Sequence, residues 1–310
     1  MIKMPKISVI MPVYNEDIDD LDESIDSILK QTYKDFEYII IDDNPENNQI
    51  KEFLNKKAKE DNRIRIIFND KNLKLSKTEN KAIELAKGSF IARMDADDIA
   101  RKDRLESQLS FVMENNLDFT YSNFSIINND GDLTRKYTYS KNDRVSQKII
   151  KMLMSHRNVA IGPVFFFKKE VFNKLRGYRI MNSEDYDFVS RALIYGFKVG
   201  YQGKPLILKR LRMDSISFDT LYDQYILIQT IGNFLRKNNY EKIIPIELLN
   251  EKLNNISEHE KNKFNKFANA RYTFNDHKTL KNFVKIIISI IFSITVLRYC
   301  VWSIFNKVID

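Results

Sequence analysis

The feature that most constrains this chain is an alternation, over roughly its first third, between short continuously apolar runs and longer segments with apolar residues at helical spacing. Residues 7–13 (ISVIMPV) form one run and end in the loop Tyr14-Asn15-Glu16, after which Leu21, Ile25, Ile28 and Leu29 recur on one helical face. Residues 36–41 (FEYIII) form a second run, stopped by Asp42-Asp43-Asn44-Pro45. Ile50, Phe53 and Leu54 mark a second helix, and residues 63–68 a third run. A third helix is predicted over residues 76–87, followed by the short apolar run that enters Asp95. Runs of this length suit strands, and strands apolar on both sides must be covered on both sides. The rhythm predicts an α/β fold, a mostly parallel, Rossmann-like sheet flanked by helices.

The pattern continues with a helix over residues 104–114, a strand over 118–122, a turn at 128–131 and a strand over 162–167. A helix over 170–174, the turn Arg176-Gly177-Tyr178 and a helix from Glu184 to Gly196, capped by Ser183, complete it. It fades near Ser217, and residues 220–273 read as lysine- and asparagine-rich amphipathic helices broken near Pro245. The chain divides on this reading into an α/β domain over 1–217, a helical extension over 218–280 and an apolar C-terminal helix over 281–310.

Composition removes several chemistries. One cysteine, Cys300, excludes a disulfide framework and cysteine-rich zinc sites, and His156, His259 and His277 lack zinc-ligand spacing. With eight glycines and neither G-x-G-x-x-G nor a Walker A loop, a nucleotide must be held by other means. The net charge of +8 is spread among mixed lysines and glutamates, which reads as solvated helix faces rather than a nucleic-acid surface. Residues 1–6 lead straight into the first strand without a cleavable signal, so the N-terminus is expected in the cytoplasm.

The segment 89–98 (SFIARMDADD) carries the most chemistry, because Asp95, Asp97 and Asp98 follow a buried strand. Ligands bind outside the carboxyl ends of strands in open α/β sheets. Hard anionic oxygens gathered there suit Mg²⁺ or Mn²⁺, which usually also holds substrate phosphates. Spacing alone proves little: with 25 aspartates, about two Asp-x-Asp triples arise by chance, and the chain holds four others, at 17/19, 20/22, 130/132 and 185/187. Asp42/Asp43 and Glu184/Asp185 are two further acidic sites at a strand end and a helix start. Turn chemistry, helix capping and dipole complementarity each account for one such site alone. Their order along a parallel sheet points to a common site.

Four passages together resemble the family-2 glycosyltransferases, inverting nucleotide-sugar enzymes with the GT-A fold. They are residues 7–16 (ISVIMPVYNE); 31–43 (QTYKDFEYIIIDD); 86–98 (AKGSFIARMDADD) with 104–108 (RLESQ); and Gly177-Tyr178 leading to 184–188 (EDYDF). The resemblance implies that Pro12, Val13, Tyr14 and Asp43 line a nucleobase pocket, with Asp43 accepting from a uracil N–H and Glu16 beside the loop. It implies that Asp95 approaches the ribose and the metal, and that Asp97, with Asp98, holds Mn²⁺ or Mg²⁺ against the diphosphate. Asp185 would be the base that deprotonates the acceptor hydroxyl. Departures from the family pattern are Arg212, where many members have histidine, and Glu79 before Asn80, where many have arginine. Arg212 and Arg210 are then candidates for pairing with diphosphate. The Q-x-x-R-W signature of processive members is absent, so a single transfer per encounter is expected.

Residues 286–305 form an apolar stretch near bilayer length, interrupted by Arg298 and preceded by Lys278, Lys281 and Lys285. A spanning helix and one lying on anionic lipid both fit it, and a core-packing helix fits less well. The expected partners are a nucleotide-sugar donor, a glycan or lipid-linked acceptor and the cytoplasmic membrane surface, but no nucleic acid. Two other readings compete. A sugar-phosphate nucleotidyltransferase would need a glycine-rich, basic first loop that is missing. A non-catalytic module for polyanions is opposed by the ordered carboxylates, which repel a phosphate backbone.

Overall fold

The computed structural model describes residues 6–137, 145–179, 181–210, 221–236, 244–276, 279, 284–287 and 300. The first strands form where the apolar runs lie: β1 (Ile7–Val13), β2 (Phe36–Asp42), β3 (Ile64–Phe68) and β4 (Phe90–Arg93). Helix α1 (Ile18–Leu29) is capped by Asp17, whose carboxylate accepts from the amide of Asp19, and buries Leu21, Ile25 and Ile28. Helix α2 (Asn48–Glu60) is capped in the same way by Asn47. Helix α3 (Leu75–Leu85) ends before the predicted residue 87, because Ala86 turns extended. Gly88 then passes tightly over β1, where a Cβ would come within 2.5 Å of the Ser8 amide.

Short β5 (Ile99–Ala100) and α4 (Arg104–Glu114) lead to β6 (Phe119–Ile127), longer than predicted, and to β7 (Leu133–Tyr137). Helix α5 (Gln147–Met154) follows, then β8 (Phe165–Lys168), α6 (Lys169–Leu175), α7 (Glu184–Ile194) and β9 (Val199–Arg210). Residues 162–164, predicted as strand, form a 3-10 turn. The apolar run is real, but Pro163 has no N–H for a ladder. Ser183 occupies the cap position of α7 at φ 65° and makes no capping hydrogen bond, contrary to prediction. The acids Glu184, Asp185 and Asp187 in the first turn complement the helix dipole instead.

The sheet order is β3-β2-β1-β4-β8-β6-β9-β5, with β7 also on β6. From β3 to β4 all ladders are parallel. Beyond β4 they are mixed: β8 runs antiparallel to β4 and β6, β9 parallel to β6, and β5 antiparallel to β9. Phe119 packs edge-on to Phe165 at 4.9 Å and stacks on Phe167 at 5.3 Å, filling the centre of this second half.

By compactness the chain forms two units, Met1–Lys151 with Val159–Arg212, and Met152–Asn158 with Met213–Asp310. The second contains α8 (Leu221–Arg236), α9 (Ile246–Asn254) and α10 (Glu258–Asp276), in the region predicted as amphipathic helices. Tyr222, Tyr225 and Phe264 form an aromatic core there, flanked by an ion pair of 3.2 Å between Lys261 and Asp223. No helix among the described residues is long and apolar enough to cross a membrane. Nearly all of the apolar stretch 286–305 lies outside the described residues.

Candidate active site

Parallel β1, β2 and β4 deliver their carboxyl ends to one edge of the sheet, with Val13 in register with Asp42. The Asp43 amide donates to the Val13 carbonyl at 2.8 Å, which ties the two loops together. Tyr14 projects from its loop, 44% exposed. Its amide donates to Glu16 Oε2 at 2.7 Å, so Glu16 shapes the loop. Pro12 and Val13 sit at the strand end beneath it. Asp43 is buried; its Oδ1 accepts from Asn69 Nδ2 at 2.7 Å and the Leu73 amide at 2.8 Å, and its Oδ2 from the Lys74 amide at 3.0 Å. An ionised carboxylate offers about four acceptor positions, so about one is left for a ligand N–H.

The acidic loop after β4 is folded against β9. Ser24 Oγ donates to the Asp95 carbonyl at 3.2 Å, and the Arg210 amide donates to Asp98 Oδ1 at 2.9 Å. Asp95 and Asp97 are partly exposed, whereas Asp98 is fully buried. Burial pushes the Asp98 carboxyl up to about 7, although Lys209 opposes this. Burial acts on Asp95 too, yet the cations Arg93 and Lys209 hold its carboxyl below the usual range. Asp98 presents at most one oxygen, Oδ2, which is buried and has no hydrogen-bond partner among the described residues.

Arg210 does not fit its predicted role as a diphosphate contact. Its Nε donates to the Asp97 carbonyl at 3.2 Å, and its Nη1 to the Asn128 and Asn129 carbonyls at 3.3 and 3.0 Å. Its Nη2 pairs with Glu23 at 2.9 Å and Asp20 at 3.2 Å. The guanidinium is consumed in holding the loops. Arg212 lies outside the described residues. Beside the aspartates stands a residue that sequence reasoning passed over: Lys209, with Nζ 3.4 Å from Asp95 Oδ2 and 3.7 Å from Asp98 Oδ2.

On the opposite side, Asp185 opens α7. Its Oδ2 accepts from the Gly162 amide at 3.1 Å and its Oδ1 from the Tyr186 amide at 2.6 Å. Asp187, from the same Asp-x-Asp triple, is fully buried and paired with Arg179 and Arg191, whose guanidinium also holds the Leu175 and Gly177 carbonyls. The two sides meet at Arg93. Its buried guanidinium pairs with Glu79, with Asp95 Oδ1 at 3.6 Å and with Glu184 Oε1 at 3.5 Å. A Cβ on Gly162 would fall 1.2 Å from its Nη1, so any side chain there must displace the guanidinium. Burial, with neighbouring carboxylates, pushes Glu79 up to about 8 and Glu184 up to about 7.

Buried Arg104 adds a second clamp. Its Nη2 donates to the Arg93 carbonyl at 2.6 Å and the Pro163 carbonyl at 2.8 Å, while Gln108 accepts its Nε–H at 3.0 Å. Asn80 exchanges two hydrogen bonds of 2.8 Å with the backbone of Tyr178. The 104–108 and Gly177-Tyr178 passages are thereby explained as supports of the site. Neither arginine clamp has a signal in a single sequence beyond standing inside a motif.

The donor set fits a hard divalent cation: Asp95 and Asp97 are partly exposed carboxylates at a strand end, and Asp98 adds an orphaned buried oxygen. Among the described residues no three acidic, histidine or cysteine side chains enclose a metal unaided.

This fold and this arrangement of carboxylates define a glycosyltransferase of the GT-A class. The sequence pattern of "Glycosyl transferase family 2" matches residues 8–176, more than half of the chain, and the chain belongs to that family. It is 36% identical over 197 residues to an uncharacterized glycosyltransferase of Methanocaldococcus jannaschii, covering 63% of this chain and 67% of that one. It is 37% identical over 188 residues to the O-antigen biosynthesis glycosyltransferase WbnJ of Escherichia coli, covering 60% of this chain and 71% of that one. In fold it is similar to S. aureus TarS 1–349 in complex with UDP-GlcNAc, with a TM-score of 0.60 and 17% identity over 92% of this chain and 79% of that one.

Proposed function

We propose that this glycosyltransferase moves a sugar from a UDP-sugar to a hydroxyl of a glycan or lipid-linked acceptor, inverting the anomeric carbon, in the synthesis of a surface polysaccharide. The observation that carries the reading is the shared guanidinium of Arg93, which faces Asp95 on the donor side and Glu184, neighbour of Asp185, on the other. This supports reading the donor-binding and proton-accepting carboxylates as one site. Support for the nucleotide comes from Asp43: its remaining acceptor position suits the N3–H of uracil and not the bare N3 of cytosine. Exposed Tyr14, with half-buried Pro12, offers a wall for the base, while the Val13 side chain expected there is buried beneath them.

In the reaction the acceptor oxygen bonds to the anomeric carbon as the bond from that carbon to the diphosphate breaks. Asp185 takes the hydroxyl proton, and UDP departs with the bonding electrons. An ordinary aspartate, of pKa about 3.9, is a weak base. It serves because the proton leaves late, against an oxocarbenium-like centre. The Gly162 and Tyr186 amides aim the carboxylate. Asp97 and Asp95, with Asp98 Oδ2, would hold Mn²⁺ or Mg²⁺, which when bound would supply positive charge against the leaving diphosphate. Arg212 is retained as a diphosphate contact.

Asp97→Asn and Asp185→Asn should each lower transfer roughly a hundredfold to ten-thousandfold while the fold survives. Undiminished turnover by either variant defeats that residue's role. A metal-supplemented panel of UDP-sugars, scored for slow hydrolysis, identifies the donor. The apolar stretch 286–305 would hold the enzyme at the cytoplasmic membrane face, near a lipid-linked acceptor. Full-length protein that stays soluble at low salt in cell fractionation would count against this attachment.

A further inference from the structure

Asp95 is faced by a cation on each oxygen, Arg93 on Oδ1 at 3.6 Å and Lys209 on Oδ2 at 3.4 Å. The two cations differ in freedom. Arg93 is buried and committed to Glu79 and Glu184. Lys209 has a side chain 31% exposed, and it reaches Asp95 and Asp98 Oδ2 at the edge of salt-bridge range. Its backbone cannot drift, because the next residue, Arg210, is bonded to Asp98, Asp97, Asn128, Asn129 and Glu23. What can move is the ammonium, on its four-carbon stem.

A divalent ion entering this cluster needs the oxygens that Lys209 faces, and it repels the ammonium at that range. Resting on the metal-dependent reading above, we infer that Lys209 is a built-in competitor for the metal and couples metal capture to nucleotide binding. With no nucleotide the ammonium stays on Asp95 and Asp98 and weakens metal binding. When a nucleoside diphosphate arrives, its anionic oxygens draw the ammonium off and the carboxylates become available. Metal and nucleotide therefore bind cooperatively, and each raises the affinity of the other by the same factor. The donor station then fills as a unit and does not load with free metal.

The test is calorimetric titration of the full-length chain with Mn²⁺, without and with saturating UDP, for wild type, Lys209→Met, Lys209→Arg and Asp97→Asn. Lys209→Met should bind Mn²⁺ at least fivefold more tightly than wild type without UDP. The factor by which UDP enhances Mn²⁺ affinity should fall at least fivefold in that variant. Lys209→Arg, which keeps the charge, should stay within threefold of wild type on both measures. A merely structural role for Lys209 would shift thermal stability but leave the coupling factor in place. Equal or weaker Mn²⁺ binding by Lys209→Met without UDP overturns the inference, and so does an unchanged coupling factor. Asp97→Asn separates the two levels. If it loses Mn²⁺ while Lys209→Met behaves as wild type, only the role of Lys209 falls. If Asp97→Asn binds Mn²⁺ as wild type does, the metal-dependent reading falls and this inference with it.

Discussion

The two halves of the sheet build their share of the site in different ways. Between β3 and β4 the strands are parallel, and each functional group comes a few residues after a strand end: Tyr14 after β1, Asp43 after β2, Asp95 and Asp97 after β4. Beyond β4 the ladders are mixed, and Glu184 and Asp185 stand at a helix start rather than a strand end, tied to groups of other elements. Asp185 is held by Gly162, Glu184 by Arg93, and Asp98 by Arg210. The first half shows how a strand end places a side chain by local chain direction. In the second half, placement depends on buried charge networks that exist only once the fold is complete.

That contrast can be tested by mutation, with the largest effects expected where distant partners meet. Arg93→Met strips the counter-ion from buried Glu79 and Glu184 and should cost about 3–5 kcal/mol in denaturant unfolding. Adding Glu79→Met should recover part of the stability and little of the transfer rate. Full recovery of both would reduce Arg93 to a local ion pair and break the comparison. Gly162→Ala places a methyl group in the Arg93 guanidinium and should cost roughly 1–3 kcal/mol. Because the Gly162 amide also aims Asp185, kcat should fall more than the KM for donor changes. Asn80→Ala removes both bonds to Tyr178 and should cost about 1–2 kcal/mol.

The buried cluster around Arg93 and the exposed helix faces should also differ in response to pH. Burial raises the carboxyls of Glu79 to about 8, and of Glu184 and Asp98 to about 7, above their unfolded values. The folded state then holds more protons than the unfolded one, so these groups lower stability as pH rises from about 4.5 to 8. Glu79→Gln should flatten the decline of the melting temperature over that window. On the parallel side, Asp26 is lowered by its hydrogen bonds to Lys30 and Lys57, so its smaller, solvent-screened contribution is lost as pH falls. The smallest effect is expected at the cap of α2. Asn47→Ala should cost about 1 kcal/mol in denaturant unfolding and change kcat by less than any variant above, because beyond capping its helix Asn47 reaches the Tyr14 loop only through one 3.3 Å bond to Asn15.

Legibility in the sequence follows the same division. Strand β1, strand β2 and the strand into Asp95 were readable because apolar runs and the acids that end them are adjacent in the chain. The turn at 162–164 was misread because apolarity alone does not separate a strand from a Pro-bearing turn packed under an arginine. Ser183 has the composition of a cap, but its φ of 65° is set by the surrounding chain. Arg210 was read as a phosphate contact by its charge. Its carbonyl and carboxylate partners come from around residues 20, 97 and 128, and no local pattern announces them. Lys209 escaped notice because one lysine among many has no signature until its carboxylate neighbours are in place.

Gly162 has one consequence for engineering. Its amide orients Asp185, the proposed proton acceptor, while the space of its missing side chain is filled by Arg93, which also faces Asp95. Acceptor preference in this enzyme cannot be exchanged as a cassette that begins after the Asp-Ala-Asp-Asp loop. A hybrid built from two relatives must inherit residues 79, 93, 162 and 184 from one parent, or its two ends will be tuned to different partners.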